Sequence, residues 1–138
     1  MFEVLRPIQF GTSVYPIEVC EFEEVAAALD AELSFDESKE LIDYLAFNPE
    51  AGEIIPETRG VRKIRWGYGE KGNRRALRLV YYFHDLNMPL YVLAVYKPGE
   101  SMRLTKNEKT DIAQKVAELV EIHATKNLEK IERVGTIA

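Results

Sequence analysis

Residues 59–83 read RGVRKIRWGYGEKGNRRALRLVYYF. Two segments within this stretch, Val61–Trp66 and Ala76–His84, alternate in character at the period of a β-strand. Between them lie Gly67, Gly69 and Gly72. Two alternating runs around a glycine-rich link predict an antiparallel hairpin. Successive side chains on a strand point to opposite faces. That rule puts Leu77, Leu79, Tyr81 and Phe83 on one side, and Arg78, Val80, Tyr82 and His84 on the other. In the first strand it sets Lys63 and Arg65 opposite Ile64 and Trp66. A third strand, Leu90–Tyr96, follows the turn Asp85–Pro89, so the three form a meander. One face is apolar and needs a helical cover, while the other carries cations and a tyrosine.

The same stretch is electrically unlike its surroundings. Between Arg59 and Arg78 lie eight basic residues (Arg59, Arg62, Lys63, Arg65, Lys71, Arg74, Arg75 and Arg78) and one acid, Glu70, for a net charge of +7. The whole chain of 138 residues carries −5. Residues 18–57 hold thirteen acids and one base, Lys39, a net of −12, and the two ends are each neutral. Overall acidity disfavours binding to a phosphate backbone, but the distribution of charge matters more than its sum.

Working outward, Met1–Gln9 suggests a short strand interrupted by Pro7. Ser13–Cys20 suggests an edge strand broken at Pro16. Phe22, Val25, Ala26 and Leu29 have helical spacing within Phe22–Leu33. A clearer helix starts at a cap on Ser34 or Asp36, with acids in the first turn where the helix dipole favours them. It presents Leu41, Tyr44, Leu45 and Phe47, and ends at Asn48-Pro49, because the residue before proline resists the helical region. Glu50–Thr58 reads as a connecting loop. Thr105, with Glu108 three residues on, has the capping-box pattern for a last helix. Its buried stripe is Ile112, Val116, Leu119, Val120 and His123, with a weaker continuation through Leu128 and Ile131. The expected class is α+β: a single domain over residues 1–138, with a three- to four-stranded antiparallel sheet and helices packed on one face.

Several chemistries find little support. A single cysteine, Cys20, cannot form an internal disulfide and reads as a small core residue. Two histidines, His84 and His123, without a cysteine pair argue against a metal centre, and His123 reads as a core residue. Gly67–Gly72 is a literal G-x-G-x-x-G, but a dinucleotide site needs a helix after it and here a strand follows. The motifs of a kinase or a serine hydrolase are missing. No apolar run is long enough for a membrane helix, and no secretory signal is visible, so a cytoplasmic protein without a cofactor is expected.

What remains is a set of cations and tyrosines on one sheet: Lys63, Arg65, Arg78, Tyr82, Tyr96 and Lys97. The plain reading is a basic surface whose long stems cover apolar groups. The sharper reading is a phosphate site. Guanidinium and ammonium groups hold non-bridging oxygens and stabilise transition-state charge, and aromatic rings stack on unpaired bases.

Three runs in this order, Asn48–Ile55, Arg59–Arg65 and Arg78–Phe83, with Leu104-Thr105 opening the last helix, resemble the HigB-like branch of the RelE/ParE toxin superfamily. The resemblance covers about residues 36–121, and residues 1–32 match it poorly. It implies the toxin of a type II toxin–antitoxin pair, an endoribonuclease that cuts mRNA at the ribosome without a metal. In that chemistry the ribose 2′-hydroxyl attacks its own phosphate. By motif position, Lys63 and Arg65 correspond to the basic strand pair and Arg78 to the arginine at the scissile phosphate. Lys63 would help to deprotonate the 2′-hydroxyl under like-charge pressure from Arg62 and Arg65. Tyr96 and Lys97 are the candidates for the general acid. Arg59, Arg62, Lys71, Arg74, Arg75 and Tyr82 would contact RNA. The implied partners are mRNA, the ribosome and a helix-turn-helix, HigA-like antitoxin. Two other readings stay open: a non-catalytic RNA- or protein-binding module using hairpin 59–78, and a structural protein whose basic hairpin docks on the acidic half of a neighbour.

Overall fold

The computed structural model describes residues 5–8, 17–70 and 74–137, with side chains over 17–70 and 74–125. Lys71 and Gly72 lie outside the described residues, as does the first half of the Ser13–Cys20 segment, residues 13–16. The chain runs β1 (Leu5–Ile8), β2 (Val19–Phe22), α1 (Glu23–Glu32), α2 (Phe35–Phe47), β3 (Glu53–Ile54), β4 (Arg62–Tyr68), β5 (Arg75–Tyr82), β6 (Leu90–Tyr96) and α3 (Lys106–Ile137). The α+β class and the β4–β5–β6 meander are as expected.

The sheet differs from the expected one in two respects. It has six strands in the order β1-β2-β6-β5-β4-β3, and it is mixed, because β2 lies parallel to β6. Helices also cover both faces. Helices α1 and α2 pack through Val25, Leu29, Leu41 and Leu45 onto Leu77, Leu79 and Tyr81. On the reverse side α3 packs through Val116 and Leu119 onto Cys20, Val80, Tyr82 and Tyr91. Strands covered on both faces lose the alternation that signals a half-exposed sheet. The four residues of β2 are all buried, as are Leu79–Tyr82 at the end of β5. Pro7 sits within β1, an edge strand of the sheet, which is where sheets accommodate proline.

The helix starts follow local chemistry. Ser34 Oγ accepts from the Glu37 N–H at 3.2 Å, and Glu37 Oε1 accepts from the Ser34 N–H at 3.0 Å. Thr105 and Glu108 repeat the same reciprocal pair at 3.1 and 3.2 Å. Each box satisfies two donors that the first turn leaves free. No described helix is long and apolar enough to cross a membrane.

The two charge poles meet inside the molecule. Arg75 Nη1 lies 3.8 Å from Glu32 Oε2 on α1, and Tyr68 donates to that same oxygen at 2.8 Å. Glu37 Oε2 accepts from the Gly69 N–H at 2.8 Å. The acidic helices therefore dock on the turn end of their own hairpin.

A candidate phosphate cleft on the β3–β5 face

Register fixes which cations converge. Arg65 stands opposite Arg78, and Lys63 stands opposite Val80 on β5 and Glu53 on β3. Directly opposed residues project from the same face, with Cβ atoms roughly 5 Å apart. Lys63, Arg65 and Arg78 therefore share one face, and together they line a cleft of ≈ 500 Å³ with Ala51, Gly52, Glu53 and Met102. Lys63 and Arg65 are exposed and Arg78 is half-buried. Like charges directly opposite across a sheet are unfavourable. Among the described residues none of the three makes an ion pair, whereas Arg62 and Arg75 each have one.

Arg78 is held by backbone. Its Nη2 donates to the Lys97 carbonyl at 3.1 Å and to the Glu100 carbonyl. Those carbonyls belong to a turn closed by the Glu100 N–H on Lys97 O at 3.0 Å, with Gly99 at φ +88°. Proline followed by a positive-φ glycine is the chemistry of a type II turn. Pro98-Gly99 thus builds the seat for Arg78, and Lys97 contributes its carbonyl to that seat without lining the cleft. Carbonyl oxygens orient a guanidinium without neutralising it, so Arg78 keeps its charge for a ligand.

The other named residues fall elsewhere. Arg62 projects to the α2 side, on the opposite face from Lys63. Its Nη1 donates to the Glu50 carbonyl at 3.1 Å and the Gly52 carbonyl at 2.8 Å, with Nη2 3.8 Å from the Glu50 carboxylate. Arg74 lines a separate depression of ≈ 220 Å³ with Glu37, Glu40 and Trp66. Arg59 is an exposed residue at φ 62° on the β3–β4 turn and does not line the cleft. Tyr82, expected to offer a ring to RNA, is only 6% exposed. It lies under α3, and its hydroxyl pairs with His84 Nδ1 at 2.8 Å. Tyr96 is the register partner of Arg78, but its ring packs against the α3 core and does not line the cleft. Burial pushes its phenol up, with Glu108 and Glu100 adding to the effect, which makes it a poorer acid. His123 Nε2 lies 2.5 Å from the Tyr91 hydroxyl, at the sheet face of α3.

The segment before β3, read from sequence as a plain loop, forms the cleft's far wall. The buried Tyr81 hydroxyl donates to the Pro49 carbonyl at 2.9 Å and accepts from the Gly52 N–H at 2.8 Å. A Cβ at Gly52 would lie 2.7 Å from Lys63 O and 2.8 Å from that hydroxyl, so only glycine fits. Tyr81 and Arg62 thus clamp residues 49–52 from inside and fix where Glu53 enters the cleft. The sequence signal was present in Gly52 and in the tyrosine on the buried face of β5, but their contact spans 29 residues. The geometry offers an open anion site: three cations and one carboxylate on a rigid sheet, with a backbone-held guanidinium at one end. No protein-family model matches the chain.

Proposed function

We infer that the chain is a metal-independent endoribonuclease of the RelE type, the HigB-like toxin of a toxin–antitoxin pair, that cuts mRNA at the ribosome. The observation that carries this reading is the cleft itself, where Lys63, Arg65 and Arg78 converge without an ion-pair partner among the described residues. Such a cluster suits a dianionic phosphorane better than a neutral ligand. Charge-assisted bonds to non-bridging oxygens strengthen as negative charge builds up on them, which is the differential binding that catalysis requires. In this scheme the 2′-hydroxyl attacks the adjacent phosphorus and the 5′-oxygen leaves, giving a 2′,3′-cyclic phosphate. Arg65 and Arg78 hold the phosphate, and Lys63 lines the cleft beside them. A helix-turn-helix antitoxin would silence the site by covering this basic face.

The test is cleavage of message on programmed ribosomes, mapped by primer extension. Wild type should cut and leave cyclic-phosphate ends, and a 2′-deoxy nucleotide at the cut position should block the reaction. Arg78→Ala and Lys63→Ala should each lower the rate by about 10²-fold or more. Full activity in both variants would remove the site from this cleft. RNA binding with a steep salt dependence but no cleavage would instead favour a non-catalytic module.

A further inference from the structure

Glu53 stands out on the cleft wall because an acid weakens a site built only to hold an anion. It is exposed, lines the same cleft as the three cations, and is the register partner of Lys63. Among the described residues it makes no ion pair. It is also well positioned. The residue before it, Gly52, is buried, its N–H held by Tyr81 and its carbonyl by Arg62. The two residues of β3 then pair with β4.

Across the face the order is Glu53 on β3, Lys63 and Arg65 on β4, and Arg78 on β5. Glu53 is diagonal to Arg65, a Cβ separation of roughly 7 Å. A phosphate held between Arg65 and Arg78 would thus bring its own ribose toward Glu53. An ammonium group has protons to donate, and a carboxylate has lone pairs that accept one.

We propose that Glu53 is the general base of this cleft, taking the proton from the RNA 2′-hydroxyl, an assignment that rests on the ribonuclease reading above. The 2′-oxygen forms its bond to phosphorus as its proton passes to the Glu53 carboxylate. The bond from phosphorus to the 5′-oxygen breaks, and that oxygen leaves with a proton from the Lys63 ammonium. Solvent then takes the proton from Glu53 and restores the one on Lys63, so no net charge or co-reactant is consumed. Lys63 acts as the donor here, not as the base that its motif position suggested. The charged groups facing Glu53 are Lys63 and Arg65 on β4 and Arg78 on β5, all of them cations.

Single-turnover cleavage of the same ribosome-bound message, followed across pH, tests the assignment. Glu53→Gln keeps size and polarity at an exposed position and should fold as wild type does, which a thermal melt checks. Its rate should fall by about 10²- to 10⁴-fold, with RNA retained as well as or better than by wild type. The acidic limb of the wild-type pH profile should vanish in Glu53→Gln and persist, at reduced rate, in Glu53→Asp. A Glu53→Gln protein within about threefold of a cleaving wild type, or one that keeps the acidic limb, overturns the assignment alone. A wild type that cuts no RNA overturns the ribonuclease reading and this base with it.

Discussion

Replacing Tyr81 by phenylalanine removes one oxygen from the interior and should release the wall of the cleft. That hydroxyl is the sole partner drawn from β5 for two backbone groups, the Gly52 N–H and the Pro49 carbonyl. The ring is fully buried, at 0% exposure. An orphaned buried donor or acceptor costs about 1–3 kcal/mol. Pro49 is half-buried and water can relieve part of its share, so the loss should be about 2–4 kcal/mol. At about 2.1 cal/mol/K of unfolding entropy per residue, 138 residues give about 0.29 kcal/mol/K, and a 3 kcal/mol loss lowers Tm by about 10 °C. The assay is a thermal melt followed by circular dichroism, paired with a urea titration. Arg62→Met should weaken the same segment, and the double variant should lose less than the sum, with a coupling of about 0.5–3 kcal/mol. Cleavage should fall with stability, because the clamp positions Glu53. A Tyr81→Phe protein melting within about 2 °C of wild type, or strict additivity with Arg62→Met, refutes the clamp.

Two further outcomes follow from charge. Bonds from the Ser34 and Gly69 N–H groups hold the Glu37 carboxyl below its ordinary value. A lowered folded-state value means that the unfolded chain binds the proton more readily. The stability from Glu37 is therefore present above the unfolded value of about 4.3 and lost as pH falls through the folded one. Melting curves at descending pH should show wild type losing more Tm in that range than Glu37→Gln, and parallel curves would contradict the argument. Cys20 is buried, and desolvation, reinforced by Glu18 and Glu21, pushes its thiol up to about 12. A thiol reagent at pH 8 should label the folded protein slowly and the urea-unfolded protein at once; equal rates would place Cys20 at the surface.

The hairpin was legible because β4 and the start of β5 keep one face open, and alternation survives only where one face is open. Parity alone then put Lys63, Arg65 and Arg78 together. The capping boxes at Ser34 and Thr105 were legible for a similar reason, since each lies within four residues of chain. What the pattern could not carry was the cover on the second face. Tyr82 looked available because nothing local announces that Val116 and Leu119, more than thirty residues later, will lie across it. Likewise β2, with all four residues buried, gives no alternation to mark it as an inner strand parallel to β6. Glu53 was hidden by length, because a two-residue strand has no period, and its place in the cleft depends on Tyr81 reaching back to Gly52.

The alternation along β4 has a consequence for how this protein can change. Arg62 and Lys63 are neighbours in sequence with opposite assignments, one holding a wall and the other facing the cleft. The β3–β4 turn that precedes them, from Pro56 to Val61, looks like a connection that evolution could lengthen freely. It is closed by the Ile55 N–H on Val61 O at 2.8 Å, and by Thr58 Oγ1, which donates to Ile55 O at 2.6 Å. One residue gained or lost there would shift β4 by one position and send every side chain to the other face. The side chain of Trp66 would then turn to the cleft face, and Lys63 and Arg65 would be driven against α2. Point substitutions at its exposed positions, Pro56, Glu57 and Arg59, should be tolerated, but changes of its length should inactivate and unfold the chain together.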